Sequence, residues 1–337
     1  MRKILILILL NCCFLKGFTQ ENVAKLSRAD STFIKKAEDY KHNGDYENAI
    51  KYYTQAILIY QDGQSFMERG WCYYSIKDYE NCYNDFYKAI EVDPYNYELH
   101  SYAAQSIKGY PNRDLKSAIK ILDNVIKNDP NGKYYSQRGD YKEDEDYADY
   151  NGAIEDFKIA LQKDSYSYDL YTSLSNCYFH LKDYSQAVYY MTKYIDNDPK
   201  GYEICKQYYW RGIYKSYLED YRGAVTDFNA SLIKQCVFPR PYEINLALGK
   251  CYYFLNNYKS SLVYLNRGLS QFSKDNSIVY YSDGTSGKDK EFLAEVYYFR
   301  GLVKIELKIK GEACLDLSKA GEMGVSDAYK VIQEKCK

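Results

Sequence analysis

A repeat constrains the fold of this chain more than any other feature of its sequence. A small residue recurs eight times, and a second small residue follows it by 12 or 14 positions each time. Four residues later comes a bulky apolar residue. Because this spacing is about one helical turn, the second small residue and the bulky residue lie on the same face of a helix. The first small row is Ala37, Gly70, Ala104, Gly139, Ser175, Gly212, Gly249 and Gly301, and the bulky row is Tyr53, Phe86, Leu122, Phe157, Met191, Phe228, Leu265 and Leu317.

The gap between the two small rows requires the chain to reverse direction. Most gaps contain a tripeptide such as Lys77 to Tyr79 or Glu219 to Tyr221, whose Asp can cap the helix that follows. Each unit is therefore predicted to be a helix, a short turn and a second helix. Small residues at the helix crossing allow close packing, and the bulky residue fills the space beside it.

These units resemble tetratricopeptide repeats, which are helix-turn-helix units of about 34 residues with Gly and Tyr in the first helix and Ala, Phe and Pro in the second. The second unit matches this signature with Gly70, Tyr73, Phe86, Ala89 and Pro94. The resemblance covers about residues 30 to 322. It implies an all-α fold, a right-handed α-solenoid of about eight repeats.

The repeat pattern also sets the expected boundaries along the chain. We predict a signal peptide at 1–19, a linker at 20–29, the repeat array at 30–322 with a loop insertion at 273–289, and a capping helix at 323–337. An open solenoid exposes the apolar face of its last repeat, which such a helix would cover. The units are expected at about 30–62, 63–96, 97–131, 132–167, 168–204, 205–241, 242–272 and 294–322.

The N-terminus has the pattern of an export signal. Arg2 and Lys3 precede an apolar run from Ile4 to Leu10, and the chain turns polar before residue 20. A short buried helix is the alternative, but nothing nearby would cover its apolar surface. Because Asn11 stands where a lipidation motif needs a small residue before Cys12, we predict no lipid anchor. We expect an exported protein, periplasmic or extracellular.

Charge and hydropathy exclude two classes of partner. The chain has 45 basic and 46 acidic side chains, so it lacks the positive excess with which proteins neutralise nucleic-acid phosphates. Its apolar runs are shorter than the roughly 20 residues that cross a bilayer. We therefore predict no nucleic-acid partner and no membrane span.

Every second unit carries an Arg just before its first small residue. In the same four units, and in no other, an Asp precedes the bulky residue. A row of ligand-binding Arg is one interpretation, but such residues would not need an in-register Asp, whereas half-buried Arg would. We predict structural ion pairs between Arg69 and Asp85, Arg138 and Asp156, Arg211 and Asp227, and Arg300 and Asp316.

The sequence contains no convincing catalytic or metal-binding motif. Gly284 to Lys288 resembles a phosphate-binding loop, but Ser282 and Asp289 occupy positions where that motif needs Gly and a hydroxyl residue. The acidic segment Asp140 to Asp149 lacks the Gly of a calcium-binding loop. The three His lie in different units. We predict that the protein is not an enzyme and needs neither cofactor nor metal.

The family resemblance implies a binding surface on the first helices. Tetratricopeptide arrays typically hold another protein or an extended peptide in a concave groove, although about half of such positions could simply pack against the next first helix. Tyr and Trp rings would also suit a glycan or small molecule, which is the alternative function. The expected groove residues are Met67, Trp71, Tyr74, Tyr209, Ile213, Tyr217, Leu246, Lys250, Tyr253, Phe254, Tyr298, Leu302 and Ile305.

Export would allow disulfides, and two cysteine pairs are suitably placed. Cys205 opens the first helix of the sixth unit and Cys236 ends its second, while Cys314 and Cys336 lie on the last repeat and its cap. We predict both pairs as disulfides if the protein is exported. The remaining thiols of the array are expected in the core: Cys72, Cys82, Cys177 and Cys251.

Overall fold

The computed structural model describes residues 20–109, 114–163, 168–198, 201, 204–233, 240–273 and 287–336. Seventeen helices and no strand occur in these residues, so the all-α prediction is confirmed. The first helices of the repeats are α1 (Gln20–His42), α3 (Gly63–Ser75), α5 (Tyr97–Lys108), α7 (Gly132–Glu143), α9 (Asp169–His180), α11 (Ile204–Tyr217), α13 (Pro241–Phe254) and α15 (Gly287–Glu306). The second helices are α2 (Tyr46–Ile59), α4 (Tyr79–Val92), α6 (Leu115–Asn128), α8 (Tyr150–Lys163), α10 (Tyr184–Asn197), α12 (Tyr221–Ile233), α14 (Tyr258–Phe272) and α16 (Lys310–Glu322), and α17 (Ser326–Lys335) follows.

The helices pack as consecutive pairs, each pair forming one repeat. The chain divides into two compact halves, Met1–Asp164 and Ser165–Lys337, with four repeats in each. Within each half, a second helix also packs against the first helix of the following repeat. No helix in the described part of the chain is both long and apolar enough to cross a bilayer.

The turn inside a repeat is made by two adjacent residues. Lys77 adopts a left-handed backbone with φ 63°, which ends the first helix. The next residue, Asp78, then accepts a hydrogen bond from the backbone N–H of Asn81 at 3.2 Å and so caps the second helix. In the same way, Lys182 has a left-handed backbone and Asp183 caps the next helix. In the seventh repeat, Asn256 has the left-handed backbone and the side-chain oxygen of Asn257 is the cap.

The bulky row forms the centre of each repeat. All eight of its side chains are at most 1% exposed, and each lies between the two helices of its repeat. A Cβ built on Gly139 would lie 2.6 Å from the ring of Phe157, and one on Gly249 would lie 2.6 Å from Leu265. Glycine is therefore needed at these positions, because the bulky side chain occupies the space that a Cβ would take.

The predicted core thiols are buried. Burial raises the pKa of the Cys72 thiol to about 11 and that of Cys82 to about 12, because the apolar surroundings disfavour the thiolate. Cys251 shows the same direction of pKa shift from burial, which a contact with Ser216 partly opposes. These cysteines act as small apolar residues at positions where the helices pack closely.

Two predicted boundaries are wrong. Residues 20–29, expected to be a linker, are the first ten residues of α1. This segment has no Gly or Pro and is rich in strong helix formers. The insertion expected at 273–289 ends earlier, because α15 begins at Gly287. Its polar composition suggests a loop, but Lys288 and Lys290 are also good helix formers. The predicted signal peptide and residues 274–286 lie outside the described residues.

Candidate interaction surface

The structure brings the four predicted Arg–Asp pairs together. In each, Arg Nε and Nη2 donate to the two carboxylate oxygens of the Asp at 2.6–2.9 Å. The four Asp side chains are buried, and the Arg side chains are mostly buried. Because the two-pronged contact uses the Arg fork, it joins the two helices of a repeat and does not present a free cation to a ligand.

Each Arg makes a further bond that the sequence analysis missed. Its Nη1 donates to a side chain on the second helix of the preceding repeat, so that one guanidinium links three helices. The acceptor always follows the bulky row in the odd-numbered repeats, a signal that was present in the sequence. The acceptors are Thr54 at 2.8 Å, Asp123 at 2.6 Å, Thr192 at 3.3 Å and Asn266 at 3.1 Å.

Three of the four Asp have a second cation. The Nζ atoms of Lys142, Lys215 and Lys304 lie 2.8–2.9 Å from a carboxylate oxygen of the Asp in their own repeat. Each Lys stands four residues after the Arg, where the second repeat has Tyr73. The same turn of the first helix thus supplies both positive charges in three repeats.

The balance between burial and bonded cations differs between two of these carboxylates. At Asp85, burial raises the pKa above its ordinary value, and the opposing bonds from Arg69 do not fully offset it. At Asp316, burial also raises the pKa, but the bonds from Arg300 and Lys304 outweigh it and the net pKa is lowered. The ionised form of Asp316 therefore stabilises the fold at neutral pH, and that contribution disappears as the pH falls through its lowered pKa.

In the N-terminal half, the predicted groove residues pack against neighbouring rings of the chain. Trp71 lies edge-on to Tyr102 of the next repeat, with ring centroids 4.8 Å apart. Tyr74 contacts Tyr79 at 5.6 Å. Met67 packs beside the same aromatic cluster. All three groove residues are partly buried, so these positions serve mainly the packing of first helices.

Three predicted groove residues in the C-terminal half are also engaged in packing. Leu246 is only 8% exposed and belongs to an apolar cluster with Phe272 and Phe292, so its assignment to an open groove is wrong. The surrounding aromatic side chains cover it. Tyr209 packs against Phe228, and burial raises the pKa of its hydroxyl far above the ordinary value. Ile213 lies against the adjoining cores.

Two further predicted residues lie between the seventh and eighth repeats. The Nζ of Lys250 is 3.0 Å from a carboxylate oxygen of Glu295 and lies over the ring of Phe299. Tyr253 contacts the same ring edge-on, at 5.7 Å. The ion pair between Lys250 and Glu295, together with the Phe299 ring, therefore connects the first helices of the seventh and eighth repeats.

The groove positions of the last repeat are covered by the capping helix. Tyr298, Leu302 and Ile305 of α15 pack in one cluster with Ala328 and Val331 of the chain end. They are partly buried by the protein itself. α17 shares this cluster, so part of the predicted groove surface is covered at the end of the array, and the assignment of these residues to a groove stays a prediction.

The two remaining predicted groove residues, Tyr217 and Phe254, are the most exposed. Their exposed fractions are 55% and 46%. Each ends a first helix and stacks on the Tyr that begins the second helix of the preceding repeat. The Tyr184 and Tyr217 rings lie 4.7 Å apart at 17°, and those of Tyr221 and Phe254 lie 4.8 Å apart at 13°. We call these two stacked pairs the aromatic steps.

The aromatic steps lie between the fifth and sixth repeats and between the sixth and seventh. In the third repeat the same register position is Gly109, and the Tyr79 ring fills the place that a side chain would take there. Tyr217 and Phe254 were predicted, but their partners Tyr184 and Tyr221 were not, although both partners stand in turn tripeptides. Each partner is a Tyr that directly follows the capping residue, and this pattern in the sequence could have identified them.

One predicted disulfide is present. The sulfur atoms of Cys314 and Cys336 are bonded, with Cα atoms 5.9 Å apart. Cys205 is buried near the start of α11, and its expected partner Cys236 lies outside the described residues, so that pair stays a prediction. Among the described residues, no group of His, Cys, Asp and Glu is arranged to hold a metal ion.

Comparison with known proteins agrees with the repeat architecture. Residues 31–62, 63–96 and 148–202 match family models described as tetratricopeptide repeat. No curated sequence matches the chain. A tetratricopeptide repeat protein from Parabacteroides merdae is similar in structure, with TM-score 0.51, 15% identity, and coverage of 81% of this chain and 97% of that one.

The C-terminal part of a repeat protein from Cytophaga hutchinsonii is similar with TM-score 0.50 and 15% identity, covering 88% of this chain and 98% of that one. At this identity the likeness concerns the fold alone. Together with the matched sequence segments and the paired helices, it leads to one conclusion. The chain contains tetratricopeptide repeats and has an all-α repeat fold.

Proposed function

We propose that this protein is an exported, non-enzymatic scaffold that binds another protein or an extended peptide through the first helices of its C-terminal half. Tetratricopeptide repeat proteins generally act as scaffolds for protein–protein interaction. The observation that carries the proposal is the pair of aromatic steps, because they expose large rings on a surface where the other predicted groove residues are packed against the chain.

The aromatic steps have the properties of binding anchors. Each stack fixes the orientation of an exposed ring before a partner arrives, so little side-chain entropy is lost on binding. Aromatic side chains that become buried at an interface supply much of its binding energy. Tyr217 and Phe254 occupy the same position in consecutive repeats, 37 residues apart. A segment that crosses both repeats would meet one ring in each.

Replacing both exposed rings should abolish most of the binding. In the variant Tyr217→Ala with Phe254→Ala, we expect capture of the partner from the exported fraction to fall on the order of tenfold or more, because each anchor typically contributes more than about 1 kcal/mol. Binding is measured by pull-down with the purified mature protein and quantitative mass spectrometry.

The matched control removes equally exposed apolar side chains from second helices of the same half, with Tyr189→Ala and Val263→Ala. This control should capture the same partner as the unmodified protein. Equal capture by the aromatic-step variant would contradict the proposed surface, provided that circular dichroism shows both variants to be folded.

Export has its own test. The sequence before Gln20 has the basic, apolar and small-residue order of a signal peptide. Expression in the native host should therefore give a mature protein that begins at Gln20 and is found outside the cytosol. N-terminal sequencing of each cell fraction measures this. An intact Met1 on cytosolic protein would contradict export and leave the binding surface untouched.

A further inference from the structure

The capping helix α17 covers part of the first-helix surface. Ala328 is fully buried against the last repeat, and Val331 and Ile332 pack in the same cluster. On the other side of this contact lie Tyr298 and Leu302 of α15. The helix thus occupies a surface that would otherwise continue the row of first helices.

A disulfide fastens the far end of this helix. Cys336 follows α17 directly, and its sulfur is bonded to Cys314 of α16. The short connection from α16 holds one end of α17, and the disulfide holds the other. Both cysteines are only partly buried, so a small reductant in solution can reach the bond.

Without the disulfide, only a small contact would hold α17: Ala328, the partly buried Val331 and Ile332, and the Tyr329 ring, which lies over Gly321. This helix has ten residues, which is too short for a helix to persist alone in water. Among its residues only Ala328 is buried, whereas five residues of the preceding helix α16 are buried. Its charged pair, Lys330 and Asp327, lies in solvent and contributes little to docking.

We propose that the bond between Cys314 and Cys336 is a redox latch that controls access to the surface beneath α17. A dithiol reductant supplies two electrons and two protons, the S–S bond breaks into two thiols, and the dithiol becomes a disulfide. The freed helix then opens locally and uncovers Tyr298, Leu302 and Ile305. Reoxidation by a disulfide-bearing oxidant reverses these steps and closes the surface.

The latch goes beyond the proposed function, because the opening of α17 needs no partner. Only the use of the uncovered surface for binding rests on that function. Hydrogen exchange followed by mass spectrometry therefore tests the latch by itself, and its failure would leave the aromatic steps as they stand.

The experiment compares the oxidised protein, the same protein in dithiothreitol, and the variant Cys314→Ser with Cys336→Ser. We expect exchange across residues 326–335 to rise on the order of tenfold or more both in the variant and after reduction, while α13 and α14 keep their protection. Dithiothreitol should change nothing further in α17 of the variant, which separates this bond from any other disulfide.

Two results would overturn the latch. Unchanged protection of residues 326–335 without the disulfide would mean that packing alone holds the helix. Loss of protection throughout α13 to α16 would mean that the bond supports the repeats and does not act on α17 in particular.

Discussion

Replacing Asp227 with Ala should lower the free energy of unfolding by about 3–5 kcal/mol. The Asp227 side chain is buried and accepts bonds from Arg211 Nε and Nη2 and from Lys215 Nζ. The substitution leaves two cations in a largely buried place without their counter-ion, which costs more than the loss of a surface pair. Urea titration followed by circular dichroism measures the change.

Two control variants distinguish the cost of leaving buried cations without a counter-ion from the cost of losing one ion pair. Asp123 also binds an Arg of this network, but its side chain is half exposed, so Asp123→Ala should cost about 1 kcal/mol or less. The double variant Arg211→Met with Asp227→Leu should cost less than Asp227→Ala, because the remaining Lys215 can reach solvent. Equal costs for Asp227→Ala and Asp123→Ala would contradict the importance of burial.

The fold could be predicted because each repeat poses the same packing problem. Gly212 and Phe228 illustrate this, since a small residue is needed wherever a bulky one fills the helix crossing. Because the small and bulky residues recur eight times at the same spacing, the sequence alone indicates which helices pair. The linker expected at 20–29 was wrong because the repeat gives no information outside itself.

The ion pairs could be predicted only in part. Arg211 and Asp227 recur as the same residue types in alternate repeats, so their coupling is visible in the sequence. The third partner keeps its position after the bulky residue, but its type varies among Thr, Asp and Asn, and Lys215 resembles any charged residue on a helix surface. Their roles depend on the distance between helices of neighbouring repeats, which residue spacing does not give.

The exposed part of the first helices was the least predictable feature. The predicted groove residues do lie on first helices, but the exposure of each side chain depends on what neighbouring elements cover. Leu246 is covered by aromatic side chains, and Leu302 by α17, which a periodic pattern does not reveal. Tyr184 was missed because its partner Tyr217 belongs to the next repeat.

Replacing Gly212 with Ala should destabilise the C-terminal half by about 1–3 kcal/mol, although Ala is the better helix former. The new Cβ would lie 2.7 Å from Cε1 of Phe228. That ring is fully buried, so the helices must separate to accept the methyl group. Urea titration of both proteins gives the difference in unfolding free energy.

Gly311 is the matched control, because it also lies in a helix but nothing stands within 4 Å of the Cβ that Ala would add. Gly311→Ala should therefore be neutral or stabilising by about 0.4–1 kcal/mol, since the unfolded chain loses conformational freedom. The two substitutions change the same atoms and differ only in the space around them. If both stabilised the protein, close contact between the small and bulky rows could not be what selects glycine at the helix crossing.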